Sequence, residues 1–471
     1  MVKKIKELLA PKDLTTGEPW KRILEFTTPM IIGNIIQQLY NTVDTFVVGK
    51  YIGDNALAAV GSAGPVINLL IVLFVGIAVG SGIMVSQYYG AKNREKLSKT
   101  IGTCITLIGI TSVIIMIIGP LITRPLLVFL KTPDSLIDWC SNYLVIMFLG
   151  ISGMSYYNIL AAILQGLGDS LSALIFLIIS TIINIVLDVL FVAKFNMGVE
   201  GVAIATVIAQ GVSAILCIVR LMKMKTDFDL NFKNLKLSKE HTLELLKLGL
   251  PSGLTQAIFS FAMISVQSLT NSFGEMVIAS NVIIMRVDGF AMMPNFSFGS
   301  AMTAYTGQNV GAGKLDRVEK GLKQGITISV IISTILTILI LVFGRQLMMI
   351  FTKTEELINL SMHLMRILAI GYIVMGIMQC LLGVIRGAGD TITPMYVSII
   401  TTVIIRIPVA YGIAYMTRSE FYPVGRPESV FISYVVSWIC GTIIAYIFYK
   451  KGNWRKKAIT NKKEEMLENK E

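Results

Sequence analysis

Polar residues in this chain gather in short clusters between long apolar runs. A run such as TISVIISTILTILILVFG, residues 327–344, has about the length that carries a helix across a bilayer core, roughly 20 residues. Runs of this kind recur from end to end. They predict twelve spans, near 21–49, 55–86, 97–121, 134–165, 170–194, 198–223, 242–271, 276–307, 318–344, 354–386, 391–417 and 427–450. A soluble chain built this way would keep no polar surface. The expected fold class is an all-α polytopic membrane protein.

Composition agrees with the pattern. Of 471 residues, 54% are hydrophobic and 15% charged, against about a quarter charged in a soluble chain. The net charge of +12 is explained by topology, without nucleic acid as a partner. With both termini on one side, 30 of the 41 Lys and Arg residues lie on that side. Eight lie on the other: Lys50, Arg124, Lys131, Lys194, Arg345, Lys353, Arg418 and Arg426. Arg286, Arg366 and Arg406 fall within spans. The positive-inside rule then places both termini in the cytoplasm, and the Lys- and Ile-rich composition suggests a bacterial cytoplasmic membrane. The first residues, MVKKIKELLAPKDLTTGEPWKR, lack the apolar core of a cleaved signal. The five cysteines are dispersed with no CxxC, which favours packing over a disulfide framework or zinc site.

The chain repeats itself. VSQYYGAK, with Gln87, returns as TGQNVGAG, with Gln308. LQGLGDS at 164–170 returns as IRGAGDT at 385–391, with the same shift in numbering. LEFTTP, ending at Pro29, returns as LKLGLP, ending at Pro251, with a nearly equal shift. Each half holds six spans, so the halves are parallel repeats, as in one class of transporter. The expected domains are an amino lobe over 1–223, a cytoplasmic linker over 224–241, a carboxyl lobe over 242–450 and a charged tail over 451–471. Two bundles suit alternating access around a central site, and the chain is expected to work as a monomer. The glycines of QGLGDS and RGAGDT allow sharp hinges, and the Asp of each can cap the next helix.

Carboxylates within the spans are few: Asp44, Asp188 and Asp288. Each costs about 2.5–3.5 kcal/mol near a bilayer centre on insertion scales, so each calls for a partner or a purpose. Asp44 has no acid at the matching place in the second half, where Val266 stands. Tyr40 with Asp44, and Asn184 with Asp188, share helix faces at i and i+4. With Thr206, they lie roughly 8–14 Å below the outer face at 1.5 Å per residue. Two close carboxylates in a low-dielectric site cannot both ionise cheaply unless a proton or cation is held there. The same atoms suit H⁺ or Na⁺, and no other cofactor is expected. Asp288 and Arg286, two residues apart, do not face each other on a helix, so Asp288 calls for another partner, Arg366 or Arg406. A buried ion pair and a transport role are both open for it.

NTVDTFVVGKYIGDNALAAVG, TGQNVGAG and LQGLGDS resemble signatures of the multidrug and toxic compound extrusion (MATE) family over nearly the whole chain. NIVLD with the Thr of GVAIAT resembles the amino-lobe site of its DinF-like branch. The resemblance implies antiport, in which H⁺ or Na⁺ enters while an organic, often cationic, compound leaves. It implies a cation site of Asp44, Asn184, Asp188 and Thr206, with Tyr40, Tyr143 and Asn158 as supporting polar groups. The NorM-like branch carries acids in spans 7 and 10. Here GLTQAIFSFAM offers Gln256, Phe259 and Ser260, and GYIVMGIMQCLLG offers no acid. Coupling is therefore expected in the amino lobe.

The substrate cleft is less specified. Gln37, Gln38, Asn41, Gln256, Met263, Asp288 and Met292 are candidate lining residues, since flexible thioethers suit promiscuous apolar binding. Pro294 and Pro408 are expected to bend spans 8 and 11. A lipid-linked precursor flippase is the alternative reading, weakened by twelve spans and few intramembrane cations. With two histidines and no HExxH or GxSxG, an enzyme has no support, and the twofold repeat lends none to a receptor.

Overall fold

The computed structural model describes residues 11–130, 132–224, 227–231 and 234–459. They form twelve long helical elements: α1 Pro19–Tyr51, α2 Asp54–Gly90, α3 Arg94–Phe129, the bent pair Asp134–Leu149 and Ile151–Gly166 as α4, α5 Ser170–Lys194, α6 Gly198–Lys223, α7 Lys239–Ser272, α8 Glu275–Gly311, α9 Leu315–Met349, α10 Glu355–Gly387, α11 Ile392–Met416 and α12 Glu428–Lys451. Among the described residues, nine are long and apolar enough to cross a membrane, and α4 adds a tenth. The remaining two, α1 and α2, are 33 and 37 residues long. In α1 the polar residues Asn34, Gln37, Gln38, Asn41 and Asp44 dilute the apolar run.

The repeat governs helix ends as well as motifs. The bounds of α2, Asp54 and Gly90, recur in α8 as Glu275 and Gly311. Those of α4, Asp134 and Gly166, recur in α10 as Glu355 and Gly387. All four ends move by the shift that relates Gln87 to Gln308. The hinges repeat too. Gly168 and Gly389 adopt φ of 87° and 96°, a region that costs glycine little. Beside them Asp169 Oδ1 accepts from Ser172 N at 3.0 Å, and Asp390 Oδ1 from Thr393 N at 3.1 Å. These are the caps that the sequence predicts.

The helices sort into two compact units. Unit 1 is Thr28–Gly253 with the described residues before Leu14; unit 2 is Leu14–Thr27 with Leu254 onward. The sequence placed a single boundary at the linker, whereas the units exchange the leading segments of α1 and α7. Local bonding explains this. In unit 2, Leu14 N donates to Gln308 Oε1 at 3.0 Å, and Asn309 Nδ2 donates to Leu14 O at 3.1 Å. Arg317 donates to the carbonyls of Thr16 and Gly17, each at 2.7 Å. The TGQNVGAG motif thus anchors the segment before α1. In unit 1, Asp229 of the linker pairs with Arg94 at 2.8 Å, and Asp229 N donates to Ser98 Oγ at 2.8 Å. Arg94 holds this exposed carboxyl below its ordinary range.

The start of α7 crosses α2 through two GxxxG patterns, Gly76–Gly80 and Gly249–Gly253. A Cβ on Gly76 would lie 2.7 Å from Gly249 O. Small residues at that spacing let helix backbones approach closely. The core of unit 1 follows the same logic. Ala56, Ala59 and Ala63 of α2 pack with Cys140, Leu144, Met147 and Phe148 of α4, and Val47 and Val48 of α1 join them.

Local departures from regular winding are instructive. The two parts of α4 meet at 52° around Gly150, where a Cβ would run into the Val207 side chain. Pro294 lies within an uninterrupted α8. In α11 the winding turns to π over Ile399–Arg406, just ahead of Pro408, whose missing N–H disrupts the i→i−4 ladder. A second π turn, Val189–Lys194, begins directly after Asp188. Such turns are frequent at functional positions.

Candidate functional site

Four helices of unit 1 bring the polar groups together. Tyr40 and Asp44 come from one face of α1, Tyr143 from α4, Asn184 and Asp188 from one face of α5, and Thr206 from α6. Tyr40 Oη donates to Thr206 Oγ1 at 3.2 Å, and Asn184 Nδ2 donates to the same oxygen at 3.5 Å. The Asp44 and Asp188 carboxyls lie within hydrogen-bonding range of each other. The Tyr143 hydroxyl is in electrostatic reach of both. Asn184 and Asp188 are fully buried, and Tyr40, Tyr143 and Thr206 nearly so.

The cluster is rich in acceptors and poor in donors. Asp44 Oδ1, Asn184 Oδ1 and both oxygens of Asp188 are buried and receive no protein donor among the described residues. Buried acceptors left this way cost free energy. The contact between two carboxyls is favourable only when a proton is shared or a cation neutralises them. The oxygens of two carboxyls, an amide and a hydroxyl are the ligand types a hard cation takes. The donor set therefore fits either H⁺ or Na⁺.

The remaining expected residues lie elsewhere. Asn158 donates to the Met154 carbonyl of its own helix at 2.8 Å and has no bond to the carboxyls. In unit 1, Gln37 and Gln38 are half-buried and Asn41 is exposed. In unit 2, Gln256 and Met263 are exposed and Met292 is half-buried. Asp288 sits in a separate polar cluster of unit 2. Tyr372 Oη donates to its Oδ1 at 2.8 Å. Of the candidate arginines, Arg406 is buried and in electrostatic reach of Asp288, whereas Arg286 and Arg366 are exposed. Arg406, Tyr372, Tyr434 and Ser437 form this second cluster. Among them only Arg406 carried a signal in the sequence, as a cation inside a span.

Twelve helices in two units, with a buried acid pair set among them, define a polytopic membrane transporter rather than an enzyme. Comparison gives the family. The MatE family model matches residues 29–190 and 251–412, two stretches related by the shift that takes Pro29 to Pro251. "Probable multidrug resistance protein YoeA" of Bacillus subtilis is 32% identical over 94% of this chain and 95% of its own. "Multidrug export protein MepA" of Staphylococcus aureus is 24% identical over 79% of this chain and 82% of its own. The solved structure "Crystal structure of MATE in the straight conformation" superimposes with a TM-score of 0.87 at 25% identity, over 95% of this chain and 99% of its own. The chain belongs to the MatE family.

Proposed function

We propose that this multidrug efflux transporter exports organic, often cationic, compounds in exchange for H⁺ or Na⁺ taken up at the Asp44–Asp188 pair. The observation that carries this reading is the contact between two buried carboxyls whose oxygens are short of protein donors. Such a pair binds an ion when it is charged and relaxes when it is neutralised. Tyr40 and Asp44 ride on α1, so ion binding acts directly on that helix. If drug and ion favour different states, the ion's gradient drives the drug outward through alternating access. The sorting of Lys and Arg supports a bacterial cytoplasmic membrane with both termini inside, and the paired lobes within one chain support a monomeric unit.

Ethidium efflux from proteoliposomes tests the proposal. A pH gradient and a Na⁺ gradient are imposed separately on the wild type and on Asp44→Asn. Efflux that follows one gradient and falls to the leak rate in the folded variant supports the coupling role. Undiminished efflux in the variant removes Asp44 from the mechanism.

A further inference from the structure

Helix α12 of unit 2 runs into a basic turn. Five of the eight residues 450–457 are Lys or Arg, and no Asp or Glu occurs between Glu428 and Glu464. The turn is folded against the helix. Gly452 N donates to Phe448 O at 2.8 Å, and a 3-10 turn follows over Asn453–Lys456. Trp454 is buried. Its Nε1 donates to Tyr449 O at 2.7 Å, and its ring stacks on that of Tyr449 with centroids 5.3 Å apart. Two of the five cations hold this arrangement. Arg455 Nη2 donates to Glu319 Oε1 of α9 at 2.8 Å, and Lys457 pairs with Asp390 of the α10–α11 hinge at 2.9 Å.

The other three, Lys450, Lys451 and Lys456, are exposed and form no ion pair with a described carboxylate. They stand at the end of an apolar stripe. Ile439, Ile443, Tyr446 and Ile447 lie on the exposed side of α12, at the spacing of one helix face. Lys450 Nζ lies 6.0 Å from the Tyr446 ring centroid. Unit 1 ends differently: Arg220, in the last turn of α6, is spent on Asp169, and Asp227 and Asp229 follow Lys223. A basic cluster immediately outside a membrane helix attracts anionic headgroups, and the stripe leading to it suits acyl chains. A lipid without net charge would cover the stripe and leave the lysines unanswered. We propose that the end of α12 and its basic turn bind an acidic phospholipid of the bilayer, with acyl chains along Ile439, Ile443 and Ile447 and the phosphate on Lys450, Lys451 and Lys456. Because Lys457 of the same turn holds Asp390, which caps α11, bound lipid also steadies that hinge. The proposal does not rest on the ion-coupling reading of unit 1.

Native mass spectrometry of the purified full-length protein tests it, with phosphatidylglycerol and phosphatidylcholine of matched chains titrated separately. The wild type is expected to bind its first phosphatidylglycerol about tenfold more tightly than phosphatidylcholine. Replacing Lys450, Lys451 and Lys456 together by Gln is expected to remove most of that preference, and replacing them by Arg to keep it. A charge-matched control in unit 1, with Lys99, Lys223 and Lys247 replaced by Gln, is expected to retain it. Phosphatidylglycerol is expected to raise the thermal unfolding midpoint of the wild type more than that of the unit 2 Gln variant. Free glycerol 3-phosphate at the same concentration is expected not to displace the lipid. A wild type without preference, a preference that survives in the unit 2 Gln variant, an equal loss in the unit 1 control, or displacement by glycerol 3-phosphate would overturn the proposal. Should the triple Gln variant fail to fold, an undiminished preference in each of the single variants Lys450→Gln, Lys451→Gln and Lys456→Gln overturns it equally.

Discussion

Where unit 1 carries Asn184, unit 2 carries Arg406 at the matching place in the repeat. The same shift takes Asp44 to Val266 and Asp188 to Ala410, both buried apolar residues. One helical plan therefore encloses a cluster of oxygens in one unit and a guanidinium with aromatic rings in the other. Neither chemistry is required by the helices that carry it. The acid pair is particular to unit 1, and the buried arginine to unit 2.

The comparison can be broken most severely at the carboxyls. Asp188→Asn is expected to reduce gradient-driven ethidium efflux in proteoliposomes to the leak rate while leaving the fold intact. Efflux close to wild type would show that the oxygen cluster is architecture after all. The reverse transplant is the next largest. Val266→Asp places a carboxylate where unit 2 offers an apolar site, and it should destabilise by about 2.5–3.5 kcal/mol. Thermal unfolding in detergent would read this as a lowered midpoint, with no new ion dependence.

A smaller effect is expected at the α2–α7 crossing. Unit 2 has Ser297 and Ala301 where unit 1 has Gly76 and Gly80, so the glycine-lined approach is particular to unit 1. Gly76→Ala should cost about 1–3 kcal/mol by overpacking. Gly61→Ala, where no atom lies within 4 Å, should leave the unfolding midpoint unchanged or raised. The hinges should give the smallest and most even response. Asp169→Ala and Asp390→Ala each remove a helix cap, worth about 1 kcal/mol. Asp169 also pairs with Arg220 at 2.7 Å and Asp390 with Lys457 at 2.9 Å. A large difference between the two variants would show that the hinges, too, have diverged.

Much of the unit 1 cluster was legible because helices impose a period and a rise. Tyr40 with Asp44 and Asn184 with Asp188 fall on shared faces, and depth alone brings Thr206 level with them. Resemblance named Tyr143 and Asn158 as supporting polar groups; the Tyr143 hydroxyl is in electrostatic reach of the carboxyls, whereas Asn158 donates to the backbone of its own helix. Depth could not choose between Arg366 and Arg406 for Asp288, since that choice depends on how α11 turns about its axis. The π winding that sets this rotation has no counterpart in hydropathy. Nor does the bend at Gly150, which depends on Val207 from another helix. The exchange of leading segments was hidden for a related reason. Gln308 and Asn309 were visible as a repeated motif, but their partners, the backbone groups of Leu14, carry no sequence signature.

The central claim is that drug and ion compete through the Asp44–Asp188 pair. The most direct measurement is ethidium affinity of the purified protein across a range of pH at fixed Na⁺, and across a range of Na⁺ at fixed pH. Linkage is reciprocal for binding, so the coupling ion must weaken ethidium binding as its concentration rises. The account predicts such dependence on one of the two ions in the wild type, and its loss in Asp44→Asn and in Asp188→Asn. Wild-type affinity indifferent to both ions, or ion dependence that persists in both variants, would contradict it.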